Sequence, residues 1–190
     1  MKTFAQSLIL VLLATTVAAQ DFDFRNVKWG ASTAEIKAAE TEGTFFKEEP
    51  NAIVYEVQIV SLPAMAIYIS IQNQLVVAQY HFIVNHSNAN EYLTDYVNVQ
   101  EALDQKYWQR VPEYVWSNTL FQGDADRYGT AVAAGHLSLI ATWELTRTTI
   151  THMIRGDNFV VKHTISYKTK IPELVAILEA WQKQQAGSGL

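Results

Sequence analysis

Between Thr148 and Tyr167 the chain alternates core-type and polar positions with a period of two. Thr148, Ile150, His152 and Ile154 precede Gly156-Asp157, and Phe159, Val161, His163, Ile165 and Tyr167 follow it. A period of two is that of a strand, and Gly-Asp between two such runs turns one strand back on the next. The stretch predicts a β-hairpin with strands at about 147–155 and 158–168. Both lists share one face when Arg155 pairs with Asn158. A lone hairpin is marginal in water, so the rest of the chain has to supply the other strands.

It does so in a repeating order. Ser32-Thr33-Ala34-Glu35 has the form of a capping box and opens a helix over about 33–41, with Ile36 and Ala39 inward and Gly43 at its end. From Thr44 to Val84, runs of β-branched and aromatic residues are separated by Pro50-Asn51, Ser61-Leu62-Pro63 and Gln72-Asn73, which predicts an antiparallel meander. Tyr92, Leu93, Tyr96, Val97, Val99, Leu103 and Tyr107 recur at helical spacing, with Asn88 or Asn90 as cap. Strands are expected again at Tyr114–Phe121 and about 131–145, separated by a loop over Gln122–Gly129. After the hairpin, Leu174, Ile177, Leu178 and Trp181 mark a C-terminal amphipathic helix with Pro172 in its first turn. The expected fold class is α+β: antiparallel meander sheet with helices, in an order that suggests a duplicated helix-plus-four-strand module. It reads as a single domain over 20–190, with sub-modules at 24–86 and 87–184.

The first nineteen residues differ in kind. Lys2 precedes the apolar run Leu8–Leu13, and Val17-Ala18-Ala19 ends in small residues, the layout of a signal peptide cleaved after Ala19. The run is shorter than the about 20 apolar residues a spanning helix needs, so no membrane span is expected in the mature chain. The chain has no cysteine, so disulfides and thiolate metal sites are excluded. Its formal net charge is −5, with Lys and Arg scattered along the chain, which argues against nucleic acid as a partner.

The stretch Phe24-Arg25-Asn26-Val27-Lys28-Trp29-Gly30, followed by the capped helix, resembles the start of a group of small exported bacterial proteins. Gly135-His136-Leu137 to Trp143-Glu144, then Thr148-Thr149-Ile150, resembles a later strand pair of that group. The resemblance implies a bacterial envelope protein of helix-and-meander build and assigns no activity to any residue. Read by themselves, Trp29 and Gly30 are an anchor against the first helix and a flexible joint before its cap.

The chemistry-bearing candidates are few. Of the five histidines, alternation puts His152 and His163 on the apolar face of one hairpin as diagonal neighbours, roughly 7 to 8 Å apart at Cβ. No third metal ligand accompanies them and no short metal-binding motif occurs, so neither a metal nor a cofactor is expected. Gly123–Gly129 has two carboxylates spaced as in a calcium loop, but Tyr128 and Gly135 occupy positions where that loop needs ligands, so it reads as a turn. Arg155-Gly156-Asp157 is expected at an exposed hairpin tip. Among the aromatics, Trp108, Tyr114 and Trp116 bracket Pro112 and are the first place to look for a binding surface. The candidate binding residues are thus Trp108, Tyr114, Trp116, His152 and His163. The expected function is that of an exported, non-catalytic protein that binds a protein partner or a small apolar ligand on a sheet surface in the cell envelope. The alternative is a hydrolase assembled from scattered His, Asp and Ser side chains.

Overall fold

In the computed structural model, residues 22–187 are described; the leader and its cleavage after Ala19 lie outside them. The elements run α1 (Thr33–Ala39), β1 (Thr44–Glu49), β2 (Ala52–Ile59), β3 (Leu62–Ile71), β4 (Gln74–Phe82), α2 (Ala89–Lys106) and β5 (Glu113–Trp116). A short 3-10 turn (Ala125–Arg127) then leads into α3 (Tyr128–Ala133), β6 (Leu137–Glu144), β7 (Thr148–Asp157), β8 (Val160–Thr169) and α4 (Pro172–Gly187). All the named strands form one eight-stranded antiparallel sheet in the order β1-β2-β3-β4-β8-β7-β6-β5. The class is α+β, as the alternation predicts. Each half opens with a helix and contributes four strands, with the 3-10 turn and α3 inserted after β5 in the second, and each set of strands starts at an outer edge and ends at the centre, where β4 meets β8.

Local signals account for most of these boundaries. Ser32 and Glu35 make the reciprocal capping box, and Asn88 caps α2 by accepting from the Asn90 amide at 3.1 Å. Three two-residue turns, Val60-Ser61, Gln72-Asn73 and Asn158-Phe159, have positive φ at both positions. That geometry matches the strand twist and makes tight hairpins.

The last of these turns corrects the sequence reading. The hairpin turns at Asn158-Phe159 and not at Gly156-Asp157, so Arg155 pairs with Lys162 and Asp157 with Val160. The displacement is an even number of residues, which leaves the core-facing set on its face except Phe159, now at the exposed tip. Gly156 is needed for a different reason: a Cβ there would collide with the carbonyls of Val132 and Ala133 on α3. Arg155-Gly156-Asp157 is accordingly part of paired β7 and not a protruding tip.

Three further expectations fail. The strand expected from about 131 begins only at Leu137, because Tyr128–Ala133 is a small helix rich in alanine. Gly129 lets that helix press against the start of α2, where Asn90 accepts its amide proton at 3.0 Å. The strand expected over Tyr114–Phe121 is confined to Glu113–Trp116. On α2, Val97 is exposed, and Asp95 and Gln100 are buried instead.

The segment before α1 fastens both halves of the sheet. Phe24 packs on the rings of Tyr68, Tyr80 and Tyr167, with centroids 5.2, 4.9 and 5.0 Å away. Arg25, held at φ 49°, lays its guanidinium on the Glu40 carboxylate through Nε at 2.6 Å and Nη2 at 3.0 Å. The Tyr68 hydroxyl and the Gly43 amide also donate to Glu40. Trp29 donates its indole N–H to Thr148 on β7 at 2.9 Å, and Gly30 takes φ 85° just before the Ser32 cap. Gly30 thus lies at the joint before the cap, as expected, whereas Trp29, expected to anchor against α1, sends its hydrogen bond to β7.

Three substitutions test this packing by urea denaturation. Gly156→Ala should destabilise by about 1–3 kcal/mol or more through its clash with α3, whereas Gly123→Ala, with open space around it, should stay within about 0.5 kcal/mol of the parent. Arg25→Ala strands a buried carboxylate on Glu40 and should cost about 3–5 kcal/mol.

Candidate functional site

Alternation gives the sheet two unlike faces. The positions facing the helices are buried along β3, β6, β7 and β8, whereas the alternate positions remain partly exposed. Aromatic side chains are distributed unevenly between them. Tyr55, Tyr68, Tyr80, Phe82, Trp143 and Tyr167 all lie on the buried face. Paired positions on the open face carry none.

Two rows of cross-strand neighbours form the centre of the open face. The first runs Val54, Ile67, Gln79, Ser166, Thr151 and Thr142 across β2, β3, β4, β8, β7 and β6. The second runs Met65, His81, Thr164, Met153 and Ile140. At a strand spacing of about 4.8 Å the first row spans about 24 Å. Burial, with Lys162 nearby, holds the His81 imidazole below its ordinary pKa, so it is neutral at neutral pH and both rows are uncharged. His81 and Gln79 are hydrogen-bonded at 3.0 Å. Charge appears only at the ends of the rows and beyond: Lys47 beside Val54, Glu56 beside Met65, and Glu113 beside Ile140. Lys162 and Arg155 stand toward one end of the strands and Lys168 and Glu144 toward the other.

His152 and His163 are at the opposite, buried face, 0% and 3% exposed. They are diagonal neighbours on β7 and β8, as alternation predicts, and their Nε2 atoms are 2.8 Å apart. Their tautomers follow from the polar chain that ends on them. Gln100 on α2 donates its amide protons to Asp104 Oδ1 and to the Arg110 carbonyl, each at 3.1 Å. Its Oε1 therefore faces His152 and accepts from Nδ1–H at 2.9 Å. His152 Nε2 is then a lone pair, and His163 Nε2 donates to it. That leaves His163 Nδ1 an unprotonated acceptor with no partner among the described residues, and the Tyr96 hydroxyl likewise has no partner there. Tyr96 stacks on His152 at 4.0 Å and Phe82 on His163 at 4.2 Å. Burial drives the His152 pKa far down, with His163 adding to it, and takes that of His163 to about 3.

This arrangement holds the two rings in fixed orientations between Tyr96 and Phe82. Both histidines are buried, and Asp104 is linked to the pair through Gln100. Among the described residues no group of three or more His, Asp or Glu side chains is placed to hold a metal ion.

The aromatic candidates lie elsewhere. Trp108 follows α2, half exposed, with its carbonyl accepting from the Trp143 indole at 2.8 Å and Arg110 above its ring at 5.6 Å. Tyr114 and Trp116 sit on β5 at the sheet edge and flank Tyr128, at 6.1 and 5.2 Å. The structure therefore does not gather Trp108, Tyr114, Trp116, His152 and His163 into one site. The open-face rows escaped the sequence reading, although their signal was present in the residues alternating with the core set, Met65, Ile67, Thr151, Met153, Thr164 and Ser166. A cavity of about 540 Å³ lined by Arg25, Glu42, Thr44, Glu56 and Gln58 also escaped it. Arg25 there is already matched by Glu40 and Glu42.

No helix among the described residues is long and apolar enough to cross a membrane. Compared with family models, curated proteins and solved structures, the chain has no match.

The buried histidines make stability depend on pH. Folded, the pair stays unprotonated until well below pH 6.5; unfolded, each histidine titrates near 6.5. Below pH 6.5 the unfolded chain binds more protons, so stability is full above that pH and falls as pH drops toward 3. The slope is about 1.4 kcal/mol per pH unit for each histidine. Urea midpoints measured between pH 7 and pH 5 should fall steadily. His163→Phe, which keeps a ring against Phe82, should remove about half of that slope.

Proposed function

We propose that the chain is an exported, non-catalytic protein that binds a partner protein on the open face of its sheet. The observation that carries this reading is the charge pattern of that face. A centre of aliphatic, thioether, hydroxyl and amide groups is bordered by Lys47, Glu56, Glu113, Lys162 and Arg155. Protein interfaces have this anatomy, a charge-depleted and Met-enriched core within a polar rim. An eight-stranded sheet is stiff, so its face is pre-organised and loses little conformational entropy on docking. A small apolar ligand is the weaker fit, since such ligands favour enclosed aromatic-lined pockets and the rings of Tyr68, Tyr80, Phe82, Trp143 and Tyr167 on the central strands are buried on the opposite face. Export rests on the leader-like first nineteen residues, and the envelope location on the resemblance carried by Phe24–Gly30.

The test starts from the partner retained by the immobilised mature chain in an envelope extract of the native host, identified by mass spectrometry and then purified. Ile67→Glu and Thr151→Arg each put a charge into the central row and should weaken its binding at least tenfold, about 1.4 kcal/mol. Glu179→Arg on α4 should leave binding unchanged. Equal binding by parent, Ile67→Glu and Thr151→Arg would sink the open-face reading.

A further inference from the structure

The two edges of the sheet are protected unequally. β1 carries Lys47 and Glu49 in one ion pair, Glu48 paired to Lys37, and a bulge between Phe45 and Lys47. Charges and bulges of this kind are how edge strands avoid pairing with other chains. β5 has a continuous register against β6 and one charge, Glu113. Exposed apolar side chains surround it: Val115 is 41% exposed, Val111 85% and Leu120 71%.

The direction of the free backbone groups can be read from Ser117, whose amide donates inward to the His136 carbonyl at 2.9 Å. Antiparallel strands alternate, so Val115 and Glu113 also turn their N–H and C=O toward β6. Those of Tyr114 and Trp116 point outward, away from the sheet. The strand is self-complementary on that side. When β5 meets a second β5 antiparallel with Val115 opposite Val115, Tyr114 faces Trp116 twice and each of these pairs exchanges two backbone hydrogen bonds. Glu113 then faces Ser117 and meets no like charge. Moving the register by two residues toward the start of the strand would set the outward groups of Trp116 against Pro112, which has no N–H to donate.

The geometry points to a homodimer in which two copies join through β5 into one sixteen-stranded sheet. The two-fold axis stands perpendicular to the sheet and passes beside Val115. Because such an axis preserves faces, both open faces lie on the same side and form one continuous surface.

Sedimentation velocity on the chain from Gln20, which holds every described residue, tests this from micromolar to millimolar concentration. The parent should show a dimer that grows with concentration. Val115→Lys and Val115→Glu, at an exposed position, should each be monomeric, because like charges would face each other across the axis. Mixing the two variants should restore a dimer containing one of each. Phe45→Lys on the β1 edge should leave dimerisation unchanged. A parent that stays monomeric throughout overturns the proposal, as does a mixture that fails to recover the dimer or a loss of dimer in Phe45→Lys. The mixed dimer would also show that both variants fold, which a plain loss of association would not.

Discussion

Everything in this molecule hangs on the pairing of β4 with β8, which joins two meanders into one sheet over the positions Val77 to His81 and Thr164 to Lys168. Neither meander alone has a closed core: the main core draws on Tyr68, Leu75 and Tyr80 from the first and on Trp143, Ile150, Ile165 and Tyr167 from the second. The seam is reinforced from above. Phe24 sits on Tyr80 and Tyr167 together, and Phe82 stacks on His163. A segment of a few residues before α1 thereby holds strands that are far apart in the chain, at the ordinary entropy cost of closing a long loop.

The buried polar groups specify this arrangement more than they stabilise it. Ion pairs taken out of water gain little over well-packed apolar residues, but they penalise wrong packings in which one partner is left alone. Glu40 is satisfied only when Arg25, Tyr68 and the Gly43 amide all reach it. Gln100 similarly fixes how α2 lies on the sheet, because Asp104, the Arg110 carbonyl and His152 must be met by one amide. Placing these groups and the aromatic rings on the helix side leaves the other face uncharged and flat at its centre. The uncharged open face is therefore a by-product of how the core is sided.

Much of this was legible in the sequence. Period-two alternation set the strands and the faces of His152 and His163, and the capping box and the helical spacing of Tyr92, Tyr96, Val99 and Leu103 set the helices. These are local properties, determined within a few residues, and they carried the α+β class and the helix-first order of both halves. Tertiary contact decided the rest. Gly156 looked like a turn residue and serves as a point of close approach to α3, so the hairpin turned two residues later. Residues 131–133, expected at the start of a strand, belong instead to a helix over Tyr128–Ala133 whose Gly129 packs against the start of α2. Trp108, Tyr114 and Trp116 are neighbours in sequence, yet they part around Trp143 and Tyr128. Alternation along one strand shows that a residue lies opposite the core. It does not show which residues on other strands stand beside it, because that depends on strand order and register, and those are settled only when the two meanders meet.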